Sequence, residues 1–102
     1  MSLLFIGDVV GQSGSDFLES RMYKLKREYD IDVTVVNGEN SAQGNGITPQ
    51  SYRQLLNIGA DVVTTGNHSF RRREAEELYD TNEQLLRPAN YPEGVMGHGV
   101  TY

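Results

Sequence analysis

The chain has 102 residues, 37% of them hydrophobic and 23% charged, with a formal net charge of -5. That length suits one small domain with a modest core, and the acidic balance argues against stable nucleic-acid binding, because phosphate is repelled. With no cysteine present, disulfides and thiolate metal sites are excluded, and any metal must be held by oxygen and imidazole donors.

Leu3-Leu4-Phe5-Ile6 is a continuous apolar run stopped by Gly7-Asp8. It is too short for a signal peptide, no basic segment precedes it, and no run in the chain could span a bilayer, so a cytoplasmic protein with no membrane contact is expected. A continuous apolar run of this length suits a strand buried on both faces. Gly11 to Ser15 reads as a loop in which Ser13 or Ser15 caps the next helix. That helix carries Leu18, Met22, Leu25 and Tyr29 at helical spacing.

Val33 to Val36 is a second, β-branched strand ending at Asn37-Gly38-Glu39-Asn40, and Gln43 to Gly46 is a loop. Thr48-Pro49 predicts a helix start, with Thr48 as the cap and Pro49 at the first helical position; Tyr52, Leu55 and Leu56 form its apolar face and Gly59 its stop. Asp61 to Thr65 is a third strand, ending at Gly66-Asn67-His68. A charged helix is expected from about Arg72 to Asp80, then a short strand at Leu85-Leu86, a loop from Arg87 to Gly99, and the start of another strand at Val100-Thr101-Tyr102. Tyr23, Tyr29, Tyr52 and Tyr79 fall on helix faces and are assigned to packing rather than to base stacking.

Strand and helix alternate three times with short connections, which predicts an α/β fold: a parallel sheet core with flanking helices and right-handed crossovers. Residues 1–102 are expected to form a single partial domain. Its open sheet edge and its last, partnerless strand call for further polypeptide.

Three strands end in the same kind of group: Gly7-Asp8, Gly38-Glu39-Asn40 and Gly66-Asn67-His68. In a parallel sheet the carboxyl ends of the strands share one edge, where ligands bind. Carboxylate and amide oxygens are hard donors, imidazole suits first-row metals, and two carboxylates brought together repel unless a cation separates them. Taken singly, each group has an ordinary reading. Asp8 could cap a loop, Glu39-Asn40 could be turn residues, and His68 could be a surface histidine. Their recurrence at three strand ends favours a metal site.

Gly7-Asp8-Val9-Val10-Gly11, Asn37-Gly38-Glu39-Asn40 with Gly44 and Gly46, Gly66-Asn67-His68, and Arg87-Pro88-Ala89-Asn90-Tyr91-Pro92-Glu93-Gly94 together resemble the YmdB-like branch of the calcineurin-type metallophosphoesterases. The Arg87 to Gly94 block belongs to this branch, whereas the Gly-Asn-His block is shared across the superfamily. The resemblance implies the N-terminal part of a metallophosphoesterase α/β sandwich and two divalent metal ions, iron or manganese ahead of zinc or magnesium. It implies that Asp8 and Asn40 bind the first metal, Glu39 bridges both, Asn67 binds the second, and His68 protonates the leaving oxygen without ligating. Val10 stands where many superfamily members carry a ligand histidine. The substrate implied is a small phosphodiester, notably a 2',3'-cyclic nucleotide, hydrolysed by a water that two metals activate.

The branch's remaining ligands are downstream histidines, and this sequence holds only His68 and His98. His98, in Gly97-His98-Gly99, reads as a loop residue. The 102-residue chain alone is therefore expected to be inactive. The alternatives are a phosphate- or nucleotide-binding module that needs no metal, and an oligomerising fragment of the fold; a homo-oligomer is expected through the open sheet edge. Arg71-Arg72-Arg73 reads as a solvated helix start rather than a phosphate clamp. The Gly11 to Gly14 loop matches neither a Walker motif nor the dinucleotide triplet.

Overall fold

The computed structural model describes residues 1–42, 46–69, 73–91 and 94–101. Four strands, β1 (Leu3–Ile6), β2 (Val33–Asn37), β3 (Val62–Thr64) and β4 (Leu85–Leu86), form one parallel sheet in the order β1-β2-β3-β4. Helix α1 (Gly11–Tyr29) joins β1 to β2, and α2 (Pro49–Ile58) joins β2 to β3. A 3-10 turn (Arg73–Ala75) and α3 (Glu76–Thr81) join β3 to β4.

The register aligns Ile6 with Val36, Val36 with Val63, and Val63 with Leu85. Val36, Val63 and Leu85 are fully buried under Leu18 and Met22 of α1, Tyr52 and Leu55 of α2, and Tyr79 of α3, with Ile6 packed at the margin. Alternate residues point the other way in a strand. On that opposite face Leu3 is 61% and Phe5 60% exposed, and Val33, Val35 and Val62 are only half-buried. The expectation of a strand buried on both faces is therefore corrected for β1: the described helices cover one face only.

The loop expected from Gly11 to Ser15 is instead the first turn of α1. Val10 takes the cap position with no side-chain cap, and Ser15 is buried inside the helix. Leu18 and Met22 face the core as their spacing predicts, but Tyr23 and Tyr29 are exposed, so their assignment to packing does not hold; Tyr52 and Tyr79 are buried as expected. Helix α2 begins as read. The Thr48 side chain accepts from the Ser51 N–H at 3.1 Å while Ser51 Oγ accepts from the Thr48 N–H at 2.9 Å, Pro49 follows, and Gly59 closes the helix at φ 126°.

The charged helix expected from Arg72 is a 3-10 turn followed by α3 ending at Thr81, and Arg72 itself lies outside the described residues. The loop reading of His98 is also amended. It bridges in parallel to Leu86, and its carbonyl accepts from Arg87 N–H at 2.9 Å. Val100 and Thr101 form no strand, and Tyr102 lies outside the described residues, as do Gln43, Gly44 and Asn45 of the expected loop.

Candidate functional site

Because the strands are parallel and adjacent, their carboxyl ends deliver Asp8, Glu39-Asn40 and Asn67-His68 to one edge of the sheet. Backbone hydrogen bonds stitch the three ends together: Val9 N–H to Asn37 O at 3.2 Å, Gly11 N–H to Asn40 O at 2.9 Å, and Gly38 N–H to Thr64 O at 2.9 Å. Behind them, Ser41 Oγ donates to Gly38 O at 2.8 Å and meets Ser51 Oγ at 3.0 Å, anchoring the Glu39-Asn40 turn to the cap of α2.

Two pairs form at this edge. Asn40 Nδ2 donates to Asp8 Oδ1 at 3.0 Å. The His68 N–H donates to Glu39 Oε2 at 3.2 Å, and His68 Nδ1 lies 3.8 Å from the same oxygen. Since Glu39 and Asn40 are consecutive, the pairs are neighbours. Gly66 makes room for the carboxylate: a Cβ there would fall 2.6 and 2.8 Å from the two Glu39 oxygens. Asn67 reaches the same edge through its neighbours, but it is exposed, and among the described residues no hydrogen bond ties it to Asp8, Glu39 or Asn40.

The donor chemistry fits a hard cation. Asn40 turns its amide N–H toward Asp8, because two oxygens face to face would repel. This leaves Asn40 Oδ1 buried without a hydrogen-bond partner, and His68 Nδ1 is in the same condition. For the Asn40 amide oxygen, a buried acceptor left unpaired costs roughly 1–3 kcal/mol, which a cation or a ligand proton would relieve. Among the described residues no three His, Asp or Glu side chains cluster as ready metal ligands. A cation here would have to rely on the amide oxygens of Asn40 and Asn67 beside the carboxylates. Val10, 58% exposed, contributes only an apolar side chain.

Sequence reasoning missed a layer of hydroxyls beneath the edge. Thr65 Oγ1 donates to Leu86 O at 2.6 Å, Ser69 Oγ meets Thr65 Oγ1 at 2.9 Å, and Tyr91 OH donates to Gly66 O at 2.9 Å. Tyr79 lies against them, fully buried. Burial pushes its hydroxyl up to about 12, with hydrogen bonding to Thr65 and Ser69 opposing the rise and the Tyr91 and Glu39 charges adding to it. The available signal was the Arg87 to Gly94 block, whose tyrosine faces the β3 end. Arg71 and Arg72 lie outside the described residues, and Arg73 is exposed. An apolar groove of about 510 Å³ opens between β1 and α1, lined by Ile6, Val10, Phe17 and Leu25. Of the five site residues only Asp8 borders it, so the groove is a separate feature.

Comparisons with known proteins agree with this architecture. The chain is 46% identical over 102 residues to a Bacillus subtilis (strain 168) protein named 2',3'-cyclic-nucleotide 2'-phosphodiesterase, covering all of this chain and 39% of that one. A crystal structure of a hypothetical protein from Thermus thermophilus superposes with a TM-score of 0.88 at 38% identity, over 97% of this chain and 38% of that one. A structure described as a novel phosphatase from Mycoplasma pneumoniae gives 0.87 at 29% identity, over 95% and 36%. The chain thus spans less than two-fifths of the length of each of these relatives. With a family model described as a YmdB-like protein matching residues 4–102, the chain belongs to the YmdB-like family.

Proposed function

We propose that this chain carries the amino-terminal half of the site of a metal-dependent phosphodiesterase acting on 2',3'-cyclic nucleotides or related small phosphodiesters. The observation that carries the reading is the pair of neighbouring contacts, Asn40 to Asp8 and His68 to Glu39, on a chain of this family. The substrate class follows the Bacillus relative's name.

In this reading Asp8 and Asn40 would hold one divalent cation and Asn67 a second, with Glu39 contributing to both; iron or manganese is favoured, with zinc or magnesium as substitutes. When bound, the two cations supply Lewis-acid charge that polarises the phosphoryl group and acidifies a water. The chain's own contribution is placement. Asn40 fixes the Asp8 carboxylate through its amide N–H, and Gly66 and the His68 N–H fix Glu39. His68, held by its own backbone bond, directs its ring at the same place and donates a proton to the leaving oxygen.

Only two histidines occur in the sequence, so residues 1–102 alone are expected to hold cations weakly and to turn over little substrate. The test is a chimera in which residues 1–102 replace the matching stretch of the Bacillus relative. It is expected to hydrolyse 2',3'-cyclic AMP only with a divalent metal, fastest with Mn²⁺ or Fe²⁺, and Glu39→Gln or His68→Ala should each cost about 100-fold or more, the scale of a lost proton donor or ligand. Rates unchanged by both substitutions would refute the assignment. Nucleotide binding that survives a chelator and Glu39→Gln would instead favour a metal-free binding module.

A further inference from the structure

The Arg87 to Gly94 block has no role in the site as described above, yet its tyrosine reaches across 25 residues of sequence to the Gly66 carbonyl. The block leaves β4 with Arg87 N–H bonded to His98 O and turns through a Tyr91 N–H to Pro88 O bond at 3.2 Å, which aims the Tyr91 ring back at the end of β3.

Counting donors and lone pairs shows what that hydroxyl does. Three groups stand within reach of Gly66 O: the Ser69 N–H at 3.0 Å, Ser69 Oγ, and Tyr91 OH at 2.9 Å. A carbonyl oxygen has two lone pairs, and a serine hydroxyl has one proton to give. Thr65 spends its proton on Leu86 O, which leaves Thr65 Oγ1 as an acceptor for the Ser69 hydroxyl. Gly66 O then takes the Ser69 N–H and the Tyr91 hydroxyl, one for each of its lone pairs. Tyr91 is in this way one of the two bonds that set the plane of the Gly66–Asn67 peptide. That plane sets the direction in which Asn67 leaves the strand and the position of the His68 N–H against Glu39.

We infer that Tyr91 is a positioning residue: its hydroxyl, bonded to Gly66 O, holds the Gly66-Asn67-His68 turn at the angle at which Asn67 leaves the strand and the His68 N–H meets Glu39. Its catalytic consequence rests on the phosphodiesterase reading above, but its geometry does not.

The experiment therefore has two arms. In the ¹⁵N-labelled 102-residue chain, Tyr91→Phe removes the hydroxyl and keeps the ring. Hydrogen exchange at the Asn67, His68 and Ser69 amides should quicken about five- to tenfold, the scale of one lost neutral hydrogen bond, with Leu55 in the core unchanged. In the chimera the same substitution should lower kcat about tenfold and weaken one of two Mn²⁺ sites, with KM unchanged, as for other outer-shell partners of metal ligands. Unaltered exchange at residues 67–69, or an equal acceleration at Leu55, would overturn the inference, as would a kcat within twofold of the parent. If His68→Ala and Glu39→Gln leave turnover intact, the phosphodiesterase reading fails, and the exchange arm alone still decides whether Tyr91 holds the turn.

Discussion

Gly66 shows how one missing side chain can define a site. Its hydrogen leaves room for the Glu39 carboxylate, and a methyl group there would sit 2.6 Å from one oxygen and 2.8 Å from the other. Both are below any normal contact, so the carboxylate would have to swing away from the His68 N–H that now holds it. Gly66→Ala is expected to leave the far-UV circular dichroism spectrum intact and to lower Mn²⁺ affinity and chimera activity about 10- to 100-fold, the range for disturbing a group that orients a ligand. Parent-like affinity would mean that the position of this carboxylate does not matter. Gly66 was legible in the sequence as the residue at which the third strand ends. Its function as space for a side chain 27 positions earlier was not, because that proximity exists only once β2 and β3 pair.

At the scale of elements, α2 was the most legible because its signals are local: a threonine cap, a proline at the first turn, a glycine at the stop. Helix α1 was misjudged at its start because it has no side-chain cap; the backbone enters through Val10, and two serines that looked like caps lie inside the helix. Helix α3 contributes Tyr79, which is buried beneath the β3 end and whose hydroxyl is raised to about 12 from 10.0. The sign of the consequence follows from proton binding. Between pH 10 and 12 the unfolded tyrosine loses its proton while the folded one keeps it. Stability is therefore whole below pH 10 and falls as pH rises toward 12, by roughly 2–3 kcal/mol. Urea unfolding at pH 9 and pH 11.5 should show this loss, and Tyr79→Phe should shrink it. An equally steep decline in Tyr79→Phe would place the alkaline sensitivity elsewhere.

At the scale of the whole molecule, the sheet has one face covered by helices and one that no helix among the described residues covers. Leu3 and Phe5 stand exposed on β1, and β1 is also the edge of the sheet, with an apolar groove alongside it. Apolar side chains beside an unpaired strand edge favour association with other polypeptide. The 102-residue chain is expected to associate with rising concentration in sedimentation velocity, and Leu3→Lys with Phe5→Lys to shift it toward monomer without changing its helix content. A parent chain that stays monomeric at high concentration would remove this expectation.

By itself, the sequence determined the order and type of the elements as far as β4, the parallel sheet and the group of polar residues at three strand ends. Each of these follows from short-range patterns: β-branched runs, glycine stops, caps. Only the tertiary structure decided that one face of β1 is bare, that Asn40 braces Asp8 while Glu39 meets His68, and that Tyr91 reaches Gly66. Those facts depend on which distant segments pack together, and pairing between residues 25 or more positions apart leaves no periodic trace along a chain.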